Sequence, residues 1–232
     1  MKAVIVATQR SGGLYLAGCL SNHRDIHCPR EEPLRPQATW IQHIGKRPVR
    51  ILDLVLTEPY YKVAACRLTY DQALHPGVME YLVNNEVKIL HLTRAIMPTV
   101  TSVLLAKQEI RDGVPRHVFD GSFVDNEVLD ATPADVANRI KRLNQQRRAF
   151  LRGVQQNCEI LEVRYEDITQ QANGYIPLGE TKRICQFLDV IRRPLYAGNR
   201  KMHKRAIETY YTNWKEVAKM LKRNDWADLW RE

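Results

Sequence analysis

The chain has 232 residues, 44% of them hydrophobic and 26% charged, and 35 Lys and Arg against 26 Asp and Glu give it a formal charge of +9. That balance excludes a disordered or fibrous chain and allows one large α/β domain with a substantial core. The positive charge points to anionic ligands (nucleic acid, anionic membrane, a phosphorylated cofactor, an acidic polymer), with a merely basic, solvated surface as the plain alternative.

Ala3-Val4-Ile5-Val6-Ala7 reads as a buried strand that feeds the turn Thr8-Gln9-Arg10-Ser11-Gly12-Gly13 and then a helix-compatible run to Asn22. A strand, a glycine-containing turn and a helix start together build an anion site, because the turn amides and the helix N-terminus aim partial positive charge at one spot. Arg10 adds a permanent charge and a forked donor set. The Gly-x-x-x-x-Gly-Lys-Ser/Thr spacing of the nucleoside-triphosphate loop is absent, so the cradle is of another kind. The acidic pair Glu31-Glu32 lies in segment 29–50, which is rich in Pro, Gly and charge and lacks periodicity; segment 108–131 has the same character. Such long irregular stretches act as lids or binding loops.

Runs 62–66, 87–92 and 159–164 read as three more buried strands, and continuous apolar strands alternating with helices indicate a parallel sheet covered on both faces. The run 87–92 leads through Thr93 to Arg94 at a strand's carboxyl end, where open α/β sheets place their ligands. A helix continues past Ser102, eight residues on and about two turns away, so Arg94 and Ser102 return to one side and form a candidate second phosphate site. Thr132-Pro133-Ala134-Asp135 carries a capping Thr, an N1 proline and a first-turn acid, and Val136, Ile140, Leu143, Phe150 and Val154 give the helix that follows an apolar face. The strand 159–164 ends in Arg164-Tyr165-Glu166-Asp167-Ile168. Residues 179–189 read as a further helix, closed before Arg192-Arg193-Pro194, and a basic amphipathic helix covers about 203–222. With no repeat, low-complexity tract or linker, one domain over 1–232 is expected.

The five cysteines are scattered and lack Cys-x-x-Cys spacing, which argues against a disulfide framework or zinc site and for a reducing cytosol. No apolar run approaches the roughly 18 residues of a membrane span. The five apolar residues after Met1-Lys2 are too few for a signal-peptide core, so a cytoplasmic protein is expected.

Taken together and in this order, these segments resemble the sulfotransferases that use 3′-phosphoadenosine-5′-phosphosulfate (PAPS). Arg10-Ser11-Gly12 is similar to that family's 5′-phosphosulfate loop, and His91-Leu92-Thr93-Arg94 with Ser102 to its 3′-phosphate site. Arg164-Tyr165-Glu166-Asp167-Ile168 and Phe187-Leu188-Asp189-Val190 resemble its Tyr-Glu-Asp-Leu strand end and Phe-Leu-Gly-Val helix end. Asn213-Trp214-Lys215-Glu216-Val217 looks like the closing helix of the bacterial and carbohydrate-modifying branches, so the likeness runs from residue 4 to about 222.

The resemblance implies a central parallel sheet flanked by helices and transfer of a sulfuryl group from PAPS to a hydroxyl of a carbohydrate or other small acceptor, with no metal. It places Arg10, Ser11, Gly12, Gly13, Leu14 and Tyr15 around the 5′ group, Arg94 and Ser102 on the 3′-phosphate, Tyr165 against the adenine, and Lys201 and Lys204 near the 3′-phosphate. Glu31, or else Glu32, stands where the carbohydrate branch supplies its base, and Arg10 neutralises the leaving phosphate. His23 and His27 are alternative bases by chemistry, whereas His91 lies inside an apolar strand and reads as a core histidine. One departure stands out: Gly13-Leu14 replaces two hydroxyl residues, removing two donors worth roughly 1.5–3 kcal/mol each when charge-assisted. Tyr15 or a lysine of the basic C-terminal region could replace them. Two other readings stay open: a decayed nucleotide-binding protein of the same fold, suggested by Gly13-Leu14, and a nucleic-acid-binding protein, suggested by the charge but lacking a recognised motif. A nucleotide kinase shares the strand–loop–helix start, but the missing loop lysine counts against it.

Overall fold

The apolar runs become the strands of one parallel sheet. A computed structural model describes residues 1–30, 32–34, 47–112, 128–171, 173–197 and 206–230. Among them the strands are β1 (Lys2–Ala7), β2 (Ile26–His27), β3 (Val63–Thr69), β4 (Lys88–Thr93) and β5 (Ile160–Arg164), in the order β2-β3-β1-β4-β5. Every pairing is parallel, and β1 lies between β3 and β4 with Ala7 opposite Thr69 on one side and Leu92 on the other. The helices are α1 (Gly13–Ser21), α2 (Pro48–Leu56), α3 (Tyr70–Ala73), α4 (Pro76–Asn84), α5 (Ile96–Asp112), α6 (Pro133–Val154), α7 (Tyr165–Ile168), α8 (Leu178–Phe187) and α9 (Trp214–Arg223). The expected α/β class with a central parallel sheet flanked by helices is borne out.

The chain divides into two compact units, Met1–Thr93 with Gln146–Asn199, and Arg94–Gln145 with Arg200–Glu232. In the first, side chains alternate across the sheet. Ala3, Ile5, Ala7, Val63, Ala65, Leu90 and Val163 face α1 and α8, whereas Val4, Val6, Cys66, Leu68 and Ile89 face α2, α4 and the end of α6. Both faces are therefore dry, which is why these strands read as unbroken apolar runs. The second unit has its own core of Met97, Val100, Leu105, Val136, Ile140, Tyr210, Tyr211, Val217 and Leu221. There the Thr101 and Tyr211 hydroxyls meet at 2.8 Å, and the Asn213 amide donates to the Ala131 carbonyl at 3.1 Å.

The start of α6 follows its sequence signal. The Asp135 amide donates to Thr132 Oγ1 at 3.2 Å, and the Asp135 carboxylate accepts from the Thr132 amide at 3.0 Å and hydroxyl at 2.6 Å. These bonds hold the Asp135 carboxyl below the usual range. Three elements differ from the sequence reading. β2 is only two residues long, too short for an apolar run to announce. β3 runs on to Thr69 rather than ending at residue 66. The basic helix expected from about 203 forms only over Trp214–Arg223, preceded by a 3-10 turn at Ile207–Tyr210; residues 203–205 lie outside the described residues.

His91 is the core histidine its strand suggested, 1% exposed, with Nε2 2.6 Å from the Tyr70 hydroxyl and the Phe150 ring nearby. Burial first, then the Arg147 charge, lowers its pKa from 6.5 to about 4. Because the unfolded chain binds the proton more readily, stability falls as pH drops through that window. Urea titrations of the wild type between pH 7 and pH 5 should show a loss of about 2 kcal/mol from this group, absent in His91→Gln, whose carbonyl still accepts the Tyr70 O–H.

Candidate functional site

The sheet order reverses at β1, so the carboxyl ends of β3, β1 and β5 in the first unit present their following residues at one edge. This is the switch point at which open parallel sheets bind ligands. The turn after β1 occupies it. Within Thr8–Gly12, Arg10 (φ 65°) and Gly12 (φ 92°) are left-handed and Ser11 between them is not. Such alternation turns successive amides toward one concavity, an anion nest. The fully buried Ser11 hydroxyl donates to the Thr8 carbonyl at 2.7 Å, so this side chain locks the turn rather than reaching outward. No side chain caps α1: Gly12 stands at its N-cap, leaving the first amides of the helix, at Gly13, Leu14 and Tyr15, to an incoming anion. Arg10 is exposed at the mouth of the turn. A non-glycine residue in the left-handed region is strained by about 1–2 kcal/mol, and such strain concentrates at functional sites.

Both glycines are required by close approach. A Cβ on Gly12 would lie 2.1 Å from Tyr165 Cδ2, and a Cβ on Gly13 would lie 2.7 Å from Arg67 Cδ. Tyr165, which opens α7 directly after β5, therefore packs its ring onto the turn and is 9% exposed. Arg67 lays its aliphatic stem across α1 at the position where a side chain at residue 13 would stand. Its guanidinium is held by the segment after β2: Nη2 donates to the Arg30 carbonyl at 3.4 Å, and Nη1 pairs with Glu32 Oε1 at 3.0 Å. The second Glu32 oxygen accepts from Gln72 Nε2 at 3.4 Å, and Gln72 Oε1 accepts from the Thr69 amide at 2.8 Å in the capping box of α3.

The structure thus brings together Arg10, Ser11, Gly12, Gly13, Glu32 and Tyr165 from the sequence reading. Tyr15 points elsewhere: its hydroxyl lies 3.0 Å from the Gly174 carbonyl and 3.3 Å from that of Ile168, tying α1 to the segment after β5. Burial pushes this phenol's pKa up, so it stays a donor. Arg94, half-buried, and Ser102, buried on α5, belong to the second unit, where they precede and follow the first turn of that helix. Glu31, Lys201 and Lys204 lie outside the described residues. Among the described residues no group of three His, Cys, Asp or Glu side chains could hold a metal ion, and no helix is long and apolar enough to cross a membrane.

Arg67 was missed by the sequence reading because the strand was closed one residue before it. The signal was present: Arg67 is the one charged residue in Val63–Thr69.

No family model and no curated protein matches the chain. Among solved structures it is similar to a sulfotransferase from Alicyclobacillus acidocaldarius at 16% identity, with a TM-score of 0.55, over 99% of this chain and 98% of that one. The mouse sulfotransferase SULT7A1 complexed with PAP aligns over 83% of this chain and 60% of its own, at 14% identity and a TM-score of 0.44. The first likeness, spanning both chains, defines the fold: this chain has the sulfotransferase fold.

Two substitutions test the geometry of the turn by thermal and urea unfolding. Gly12→Ala destabilises by about 2 kcal/mol or more, because the methyl group meets the Tyr165 ring in a left-handed backbone. Arg10→Gly leaves the melting temperature unchanged or higher, since glycine relieves about 1 kcal/mol of left-handed strain. A clear drop in Tm for Arg10→Gly would contradict the backbone assignment.

Proposed function

We propose that the chain is a sulfotransferase that moves a sulfuryl group from PAPS to a hydroxyl of a carbohydrate or other small acceptor. One observation carries this reading: at the switch point of a sulfotransferase fold, the β1–α1 turn offers an uncapped helix N-terminus walled by two glycines that admit no side chain. Two arginines, Arg10 and Arg67, supply the cationic donors that a phosphosulfate group requires.

PAPS would supply an activated sulfuryl group with a bisphosphorylated adenosine as its leaving portion. The amides of Gly12 to Tyr15 and the Arg10 guanidinium hold the 5′ end and stabilise charge that develops on the leaving phosphate. Arg94 and Ser102 take the 3′-phosphate with Lys201 and Lys204, and Tyr165 lies against the adenine. A carboxylate of the Glu31-Glu32 pair removes the proton of the attacking hydroxyl. Glu32 already accepts from Arg67 and Gln72, which favours Glu31 for that role.

The departure at Gly13-Leu14 gains a physical account in this reading. The absent side chain at residue 13 is what lets Arg67 cross the helix start and brings a cation beside the turn, its Nη1 and Nη2 held by Glu32 and the Arg30 carbonyl. That favours a working transferase over a decayed nucleotide binder.

The bisphosphate product PAP, at about 100 times its Kd, should stabilise the protein by about 2.7 kcal/mol, read as a rise of roughly 5–10 °C in Tm. Arg94→Ala and Arg67→Ala should each lose most of that shift. No shift at millimolar PAP would overturn the proposal; a shift without turnover of radiolabelled PAPS on glycans, phenols and lipids would favour the decayed binder.

A further inference from the structure

Arg67 holds a cation where the helix beside it does not favour one. Its Nη1 lies 3.7 Å from the position a Cβ would take on Gly13, next to the first amides of α1, whose dipole repels positive charge. Glu32, at 3.0 Å from Nη1, and the Arg30 carbonyl, at 3.4 Å from Nη2, offset that repulsion. The side chains of Arg67 and Glu32 are only 20% and 15% exposed, so the pair is mostly out of water. An ion pair in such a place holds well only when further hydrogen bonds meet its remaining lone pairs. Gln72 supplies one, its Nε2 donating to Glu32 Oε2 at 3.4 Å.

Gln72 is fixed from its other end. Its Oε1 accepts from the Thr69 amide at 2.8 Å. That amide can only donate and a carboxylate can only accept, so the Gln72 side chain has one orientation, with its NH2 toward Glu32. The short helix that carries it is anchored as well: Tyr70 and Ala73 are buried, and the Tyr70 hydroxyl lies 2.6 Å from His91 Nε2. As the third residue of a capping box, position 72 would accept glutamate as readily as glutamine, and a helix start favours the acid. Glu32 is what distinguishes the two. A carboxylate at residue 72 would keep the Thr69 bond but set a like charge against Glu32.

We propose that Gln72 is a positioning residue for anion binding, acting through Glu32 to hold the Arg67 guanidinium beside the β1–α1 turn. This rests on the transferase reading, in which Arg67 is one of the cationic donors to the phosphosulfate group. Calorimetric titration with PAP, up to millimolar, tests it on the full chain with and without Arg67→Ala. Gln72→Glu keeps the capping bond, whereas Gln72→Met loses both bonds, and each should weaken PAP binding about five- to tenfold. In the Arg67→Ala background the same changes should cost less than about twofold. A loss of equal size in both backgrounds, or no loss in the wild-type background, would overturn the assignment. The Arg67 Nε–Hε resonance, identified by its absence from Arg67→Ala, reads the positioning without any ligand. It should shift or broaden in both Gln72 variants while circular dichroism shows them folded, and a resonance unmoved in both would also overturn the assignment. Failure of the wild type to bind PAP would strike the transferase reading instead, and the Arg67 resonance would still decide the role of Gln72.

Discussion

Everything at the candidate site depends on β1 being paired in parallel on both sides. With β3 and β4 as neighbours, the chain must leave β1 at the point where the sheet order reverses, and no strand continues above it. The turn that follows is consequently free to close on itself, and Ser11 ties it down from within while the flanking left-handed residues expose its amides. Because both faces of β1 are dry, this arrangement rests on a part of the protein with little freedom to adjust. An anion site built there is rigid before any ligand arrives, so binding does not have to order the loop.

The same rigid turn leaves the space beside Gly13 to Arg67. A side chain at residue 13 and the stem of Arg67 cannot share one space, and this chain has resolved the conflict in favour of the arginine. Arg67 starts on β3, a neighbouring strand, so its donors approach the turn from the side rather than from the helix. Glu32 and the Arg30 carbonyl hold the guanidinium there, which links the segment after β2 to the loop after β1.

Much of this was legible in the sequence, for identifiable reasons. The strands of a doubly covered sheet have no polar face, so residues 3–7, 62–66, 87–92 and 159–164 stood out as apolar runs. Thr132 and Asp135 announced the start of α6 because capping is a local interaction. What escaped was non-local. Arg67 escaped because the apolar run ends at residue 66, whereas β3 continues to Thr69 and carries Arg67 past the start of α1. Tyr165 read as an adenine contact, and nothing local to it announced that its ring also packs on Gly12, a neighbour created only by the pairing of β4 and β5. Tyr15 likewise could not be seen to spend its hydroxyl on the carbonyls of Gly174 and Ile168, since those lie far along the chain.

The contact between Gly12 and Tyr165 has a further consequence, for how such a chain can vary. Residue 12 has no volume to spare and the ring has no room to retreat from the buried set around it. Neither position can change size alone without shifting the turn that the other supports. Two residues at opposite ends of the first unit's sequence therefore drift as one, and a chain that relaxes this pair must re-form its anion loop in a different shape.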